Sequence, residues 1–284
     1  MHLSYFEQAT VLITGASAGI GWEFGRQLAP AAKTMILVGR RKDRLEALGS
    51  ELKVINPELD LRLKPLDLCD KAELRGFCDW LDESRLAVDL LINNAGVGDH
   101  GMFAGSEWER VDAMLQVNVY ALTYLSFRIA PAMTKAGRGA ILNVSSVAGL
   151  LPVPNSAVYA ATKAYVNSFS EAIRAELRLS NISVTALCPG PVDTEFLSRA
   201  TRRTDRESHT APDFFVVSVH DVVRQALAAV SKDRARVIPG TMVNWAMTVL
   251  AYLPMFVKRL LYQAQLKRRR SDVLSASPNF ERTG

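Results

Sequence analysis

Tyr159 and Lys163 stand four residues apart, with Ser146 upstream on what reads as a separate element. On a helix, residues at that spacing share a face. The ammonium of Lys163 then lies beside the phenol of Tyr159. Free tyrosine has a pKa of about 10, too high for an acid poised at neutral pH. A neighbouring cation favours the phenolate and draws that value down toward the working range. Such a phenol can give a proton to a carbonyl oxygen, and the Ser146 hydroxyl can hold that oxygen in place. Asn118, in a long helical stretch, is placed to hold a water linking Lys163 to solvent. Far upstream, Thr14-Gly15-Ala16-Ser17-Ala18-Gly19-Ile20-Gly21 closes an apolar run. A glycine-rich turn between strand and helix presents unpaired N–H groups and the positive end of the helix dipole, which suits a pyrophosphate. A proton donor and a nucleotide cradle in one chain imply proton and hydride chemistry with a bound nucleotide.

The cradle has the spacing Gly15-x3-Gly19-x-Gly21, which differs from G-x-G-x-x-G. Gly15 makes the tight turn, Gly19 lets a phosphate approach, and Gly21 lets helix pack on strand. Cofactor contacts are expected from Gly15, Ser17, Gly19, Ile20 and Gly21. The end of the second strand selects the cofactor: a carboxylate there binds the ribose 2′-hydroxyl of NAD, whereas arginine pairs with the 2′-phosphate of NADP. This chain reads Val38-Gly39-Arg40-Arg41-Lys42. With no acid and two planar guanidinium forks, Arg40 and Arg41, the cofactor expected is NADP(H). Asp43 comes too late in the chain for the ribose and is expected to cap the next helix. Asp67, followed by Leu68, is placed either to accept from an adenine amino group or to cap the helix beginning near Asp70. Asn94, Ala95 and Gly96, preceded by Asn93, combine small residues for close backbone approach with amides able to fix strand ends and the cofactor ribose.

These groups need a scaffold. Short continuous runs rich in Val, Ile and Leu read as strands at residues 10–13, 35–38, 61–66, 88–92, 140–144, 183–188 and 236–238. Such runs suit strands covered on both faces. Helices are expected over 20–28, 43–54, 71–81, 108–133, 156–179 and 219–230. The alternation specifies an α/β fold: a doubly wound, Rossmann-like parallel sheet of about seven strands with helices on both faces. Residues 1–240 then form one domain holding cofactor and substrate, and residues 241–284 an extension. The polar, basic stretch 193–215 follows the sixth strand and should lie at the carboxyl edge of the sheet, over the ligand crevice.

The chain has 284 residues, 49% of them hydrophobic and 22% charged, with a net charge of +5. Much of the basic excess falls in Arg199, Arg202, Arg203 and Arg206 and in residues 267–270. No nucleic-acid-binding motif accompanies them. Cys69, Cys78 and Cys188 form neither a zinc spacing nor a disulfide framework, so no metal is expected and reduced thiols in the cytoplasm are the simplest reading. Residues 1–7 show no secretory signal.

Together the motifs resemble the short-chain dehydrogenase/reductase family, single-domain type, over residues 10–240. The likeness rests on Thr14-Gly15-x3-Gly19-x-Gly21, Asp67, Asn93-Asn94-Ala95-Gly96, Asn118, Ser146, Tyr159-x3-Lys163 and Pro189-Gly190-Pro191-Val192-Asp193-Thr194. The resemblance implies that Asn118, Ser146, Tyr159 and Lys163 form a catalytic tetrad, with Ser146 preferred to Ser145 on its distance from the tyrosine. It implies that Lys163 also holds the nicotinamide ribose. It places Pro189, Gly190, Val192 and Thr194 at the cofactor, with Val192 and Thr194 on the carboxamide. It further implies a homodimer or homotetramer formed through the long helices after strands four and five. The reaction implied interconverts a ketone and a secondary alcohol. A protein that senses NADP(H) and acts through a partner without turnover is the alternative; the intact tetrad counts against it.

Residues 242–257 are largely apolar and hold Trp245, Tyr252 and Phe256; Lys258, Arg259 and the basic run 267–270 follow. The run is short for a bilayer span, which needs about 20 residues. It fits first a helix that packs over the cleft or on another subunit, and after that a helix making peripheral contact with a membrane surface. With the apolar stretch 149–154 ahead of Tyr159, it favours an apolar substrate: 3-oxoacyl, steroid-like or another apolar carbonyl compound.

Overall fold

The computed structural model describes residues 3–192, 195–201, 216–260 and 263. The chain forms two compact units, Met1–Asn244 and Trp245–Gly284. The first is built on seven parallel strands: β1 (Thr10–Thr14), β2 (Thr34–Gly39), β3 (Asp60–Pro65), β4 (Leu90–Asn93), β5 (Gly139–Val144), β6 (Ile182–Leu187) and β7 (Arg236–Val237). They lie in the order β3-β2-β1-β4-β5-β6-β7. Its helices are α1 (Gly19–Leu28), α2 (Lys42–Ile55), α3 (Lys71–Glu83), α4 (Trp108–Leu115), α5 (Leu122–Ala136), α6 (Ala157–Leu177), α7 (Glu195–Ala200) and α8 (Val219–Ser231). A further helix is α9 (Thr241–Tyr252).

The strand order reverses between β1 and β4. Doubly wound sheets bind ligands beyond the carboxyl ends of the strands at such a reversal. Side chains alternate across each strand. Val11 and Ile13 of β1 join the core under α1, α2 and α8, with Phe24, Leu45, Leu48 and Leu227. Leu12 faces the opposite core, with Leu74, Leu125 and Ile129 of α3 and α5. Burial on both faces explains why the strands read as unbroken apolar runs.

Polar residues interrupt those runs for a structural reason. Asn93 of β4 donates to Asn143 Oδ1 of β5 at 2.9 Å and to Ser126 Oγ of α5 at 3.1 Å. Asn143 in turn donates to Ser170 Oγ of α6 at 2.9 Å. This buried relay pins α5 and α6 to the two strands that carry the site.

Three expectations change. The stretch 108–133 is not one regular helix: a π-helical segment, Gln116–Ala121, separates α4 from α5. Such insertions re-aim side chains and gather at functional sites; this one carries Asn118. Asp43 does not cap α2, which begins at Lys42; it sits in the first turn, where it complements the helix dipole. Asp70 caps α3, accepting from Ala72 N and Glu73 N at 2.7 and 3.1 Å. Asp67 instead accepts from Cys69 N at 2.9 Å, so the capping alternative for Asp67 falls away.

Candidate active site

α6 lays Tyr159 and Lys163 against the end of β5. Lys163 is buried, and its Nζ donates to the carbonyl of Val144 at 2.8 Å and lies 5.8 Å from the centre of the Tyr159 ring. Ser145, the neighbour not assigned to the tetrad, donates to the carbonyl of Lys163 at 2.9 Å and fixes that turn of the helix. Ser146 Oγ accepts from Ala148 N at 3.1 Å, opening a short 3-10 turn, and lies near enough to the Tyr159 phenol to lower its pKa.

Burial dominates the electrostatics. It pushes the Tyr159 phenol up to about 12, while the Ser146 hydrogen bond pulls the other way. It draws Lys163 down to about 8, with the nearby Cys188 opposing the shift. The phenol therefore departs from the direction expected from its neighbouring cation. The reason is burial, which disfavours the phenolate, while the Lys163 Nζ donates to the Val144 carbonyl.

Asn118 is a clasp. Its Oδ1 accepts from Val97 N at 2.9 Å, and its Nδ2 donates to Val97 O at 2.9 Å and Thr162 Oγ1 at 3.0 Å. Those bonds fasten the loop after β4 to α6. Gly96 sits between the clasp and the lysine; a Cβ there would lie 3.3 Å from both Asn118 Oδ1 and Lys163 Nζ.

At the switch point, Thr14 and Asn94 knit β1 to β4. Asn94 N and Ala95 N both donate to Thr14 Oγ1 at 3.0 Å, and Asn94 Nδ2 donates to Thr14 O at 2.8 Å. Gly15 turns the chain with φ of +67°. Gly21 admits no side chain: a Cβ would sit 2.3 Å from Gly15 O and 2.5 Å from Asn94 Nδ2. α1 begins after Ala18 with no side-chain cap. Its first-turn N–H groups, at Gly19, Ile20 and Gly21, are therefore available to an anion.

Beside this turn, Arg41 Nη2 donates to Ser17 O at 3.2 Å, and Arg40 Nη1 lies 3.9 Å from Asp67 Oδ2. Leu68 is buried in the core beyond Asp67. After β6, Pro189 O accepts from Val147 N at 3.0 Å, joining this strand end to the turn that follows Ser146. Gly190 follows, and Val192 packs on the core. Thr194 lies outside the described residues.

Sequence reasoning missed Thr162, Glu195 and Phe196. Phe196 of α7 lies 5.7 Å, ring to ring, from Tyr159. Glu195 pairs with Arg41 at 3.1 Å and with Arg44 at 3.4 Å. The only signal for Thr162 was its place one residue before Lys163; α7 is too short to leave a periodic pattern. Among the described residues, no group of three or more His, Cys, Asp or Glu could hold a metal ion.

A family model, short chain dehydrogenase, matches residues 9–205. Sulfoacetaldehyde reductase 2 of Chromohalobacter salexigens is 35% identical over 192 residues, covering 66% of this chain and 73% of that protein. A short-chain dehydrogenase from Sphingobium yanoikuyae, solved in complex with NADPH, is 30% identical with a TM-score of 0.74, covering 97% of this chain and 98% of its own. The bulky-bulky ketone specific alcohol dehydrogenase from Comamonas testosteroni is 26% identical with a TM-score of 0.71, covering 97% of both chains. The matched stretch takes in the glycine turn, the switch point and the tyrosine–lysine helix. This chain belongs to the short-chain dehydrogenase/reductase family, oxidoreductases of alcohol and ketone groups that use a nicotinamide cofactor.

Proposed function

We propose that this protein is an NADP(H)-dependent oxidoreductase that interconverts an apolar ketone and its secondary alcohol. The observation that carries the reading is the buried Lys163 beside Tyr159 on α6, with Ser146 near the same phenol. The nicotinamide supplies or accepts the hydride when bound. Tyr159 donates the proton to the carbonyl oxygen during reduction and takes it back during oxidation. Ser146 holds that oxygen near the phenol. Lys163 would hold the nicotinamide ribose, and its cation would favour the phenolate of Tyr159. Both Nδ2 hydrogens of Asn118 are committed, so a water in a proton path would have to donate to one of its oxygens.

The residues fit the cofactor. The uncapped start of α1 suits a pyrophosphate, and Arg40 and Arg41 with no acid at the end of β2 suit a 2′-phosphate. The Sphingobium relative in complex with NADPH supports the same choice. Apolar chemistry is supported by Phe196 beside Tyr159 and by exposed Met102, Phe103 and Trp108 on the segment after β4. The specificity of the Comamonas relative for bulky-bulky ketones agrees.

The test is NADPH consumption with bulky apolar ketones beside small charged ones. A preference for small charged ketones would sink the substrate assignment.

A second copy of the chain is the partner we assign to the face of α5 and α6. A groove of about 570 Å³ runs there past Phe127, Pro131, Phe169 and Ile173, and Phe127 is 68% exposed. A Phe127→Glu variant that scatters light as a monomer, where the parent is a dimer or tetramer, would support it; an unchanged mass would refute it.

No described helix is long and apolar enough to cross a membrane. Peripheral contact remains a second reading for the extension, favoured by exposed Trp245, Phe256 and Leu260 and by the exposed Arg259 next to Leu260 in sequence. Flotation of the full chain with anionic vesicles, lost on truncation at 240, would support it, and no flotation would end it.

A further inference from the structure

The arginines expected to read a 2′-phosphate already have anionic partners. Arg40 approaches Asp67. Arg41 divides its fork: Nη2 donates to Ser17 O at 3.2 Å, which fixes the guanidinium at the glycine turn, while Nη1 donates to Glu195 Oε2 at 3.1 Å. The other oxygen of that carboxylate accepts from Arg44 Nη2 at 3.4 Å. Arg44 also lies over the Trp22 ring, 5.3 Å from its centre. One carboxylate thus serves two guanidinium groups, and one of those groups is anchored to the phosphate-binding turn. Glu195 comes from α7, on the far side of the site in sequence, and the next residue is the Phe196 that packs on Tyr159.

We propose that Glu195 is a cofactor-specificity residue: its carboxylate occupies Arg41 and Arg44 in place of a 2′-phosphate, which must displace it on binding. The proposal rests on the NADP(H) reading given above. Its chemistry is a competition between anions. Side-chain exposure of the pair is 30% for Arg41 and 44% for Glu195, and exposed pairs of this kind are weak. A phosphate monoester carries nearly two negative charges and three acceptor oxygens, so it makes more and stronger bonds to a guanidinium fork. Two anions cannot share Arg41 without like-charge repulsion. The neutral 2′-hydroxyl of NAD(H) has no means to displace the carboxylate. Glu195 therefore weakens NADP(H) binding and leaves NAD(H) binding unchanged.

The experiment titrates NADPH and NADH, by nicotinamide fluorescence, into the full chain and its Glu195→Gln, Glu195→Asp, Arg41→Ala and Glu195→Gln/Arg41→Ala variants. Glu195→Gln should tighten NADPH about two- to fivefold, the scale of a weak ion pair, and leave NADH unchanged. Glu195→Asp, which keeps the charge, should stay nearer the parent. The gain should vanish when Arg41 is also removed. Unchanged or weaker NADPH binding in Glu195→Gln, or an equal gain for NADH, would overturn the proposal even if the parent prefers NADPH. If the parent shows no such preference, the NADP(H) reading fails on that result alone. Glu195→Gln then decides this proposal separately: NADPH tightened over NADH supports it, and no change overturns it. Thermal melting of each variant separates a folding defect from a binding effect.

Discussion

Beneath the β4–β6 side of the cleft, Asn118, Ser145, Thr162 and Lys163 are buried, and each is held by hydrogen bonds of 3.0 Å or less. On the β2 side, Arg40, Arg41 and Arg44 meet Asp67 and Glu195 in pairs that solvent reaches. The two halves lie along one sheet edge yet use different physics. A proton transfer needs atoms held to fractions of an ångström, which buried hydrogen bonds provide. Recognition of one extra phosphate needs strong charge that can exchange partners, which exposed guanidinium groups provide. Errors in the first half should therefore cost rate or stability, and errors in the second should shift cofactor choice.

The most severe loss is expected from Tyr159→Phe. Turnover should fall by about 10²–10⁴-fold with cofactor affinity kept, as steady-state kinetics and fluorescence titration would show. Retained turnover would remove the phenol from the chemistry. Gly21→Ala comes next, because the added carbon meets backbone oxygen at 2.3 Å. Relief requires the glycine turn to move, so cofactor binding should be lost, with about 1–3 kcal/mol of stability. Wild-type affinity in this variant would mean that the turn is not the cradle.

Asn143→Ala should cost about 1–3 kcal/mol by leaving Asn93 and Ser170 short of a partner, read as a lower melting temperature. An unshifted melt would show that the relay does not hold the floor together. Arg40→Ala, on the exposed side, should leave folding and NADH affinity alone and weaken NADPH about tenfold. An equal loss for both cofactors would break the contrast between the halves.

The mildest effect is in pH. Lys163 is drawn down to about 8, so its cation is lost as pH rises through that value and ketone reduction should decline there. The linkage runs the other way for stability. Between about 8 and the ordinary lysine value near 10.5, the unfolded chain binds the proton that the folded chain has released. That contribution to stability therefore rises with pH across the window where activity falls. A flat rate profile through pH 8 would mean that the Lys163 charge does not matter to the rate.

The buried half was the more legible in the sequence, because chemistry and architecture both leave patterns there. Tyr159 and Lys163 declare a shared helix face by spacing, and continuous apolar runs declare doubly covered strands. The π-helical segment left no mark, since an extra residue in a helical turn does not change the composition. The amide relay looked like polar interruptions of strands, because partners in different elements cannot be paired from one chain alone. Glu195 was invisible for the same reason: its meaning lies in Arg41 and Arg44, 154 and 151 residues away. The rise in the Tyr159 pKa was missed because spacing gives proximity to a cation, whereas the burial that disfavours the phenolate is set by the fold around it.

Both halves serve one proposed event, the delivery of a hydride and a proton to an apolar ketone. A single turnover with NADPH deuterated at the transferable position, followed by mass analysis of the product, decides whether that event occurs. The parent chain should yield a secondary alcohol carrying one deuterium on its carbinol carbon, and Tyr159→Phe almost none. Tight NADPH binding with no labelled alcohol from any bulky ketone would contradict the proposal and favour a protein that binds the nucleotide without turnover.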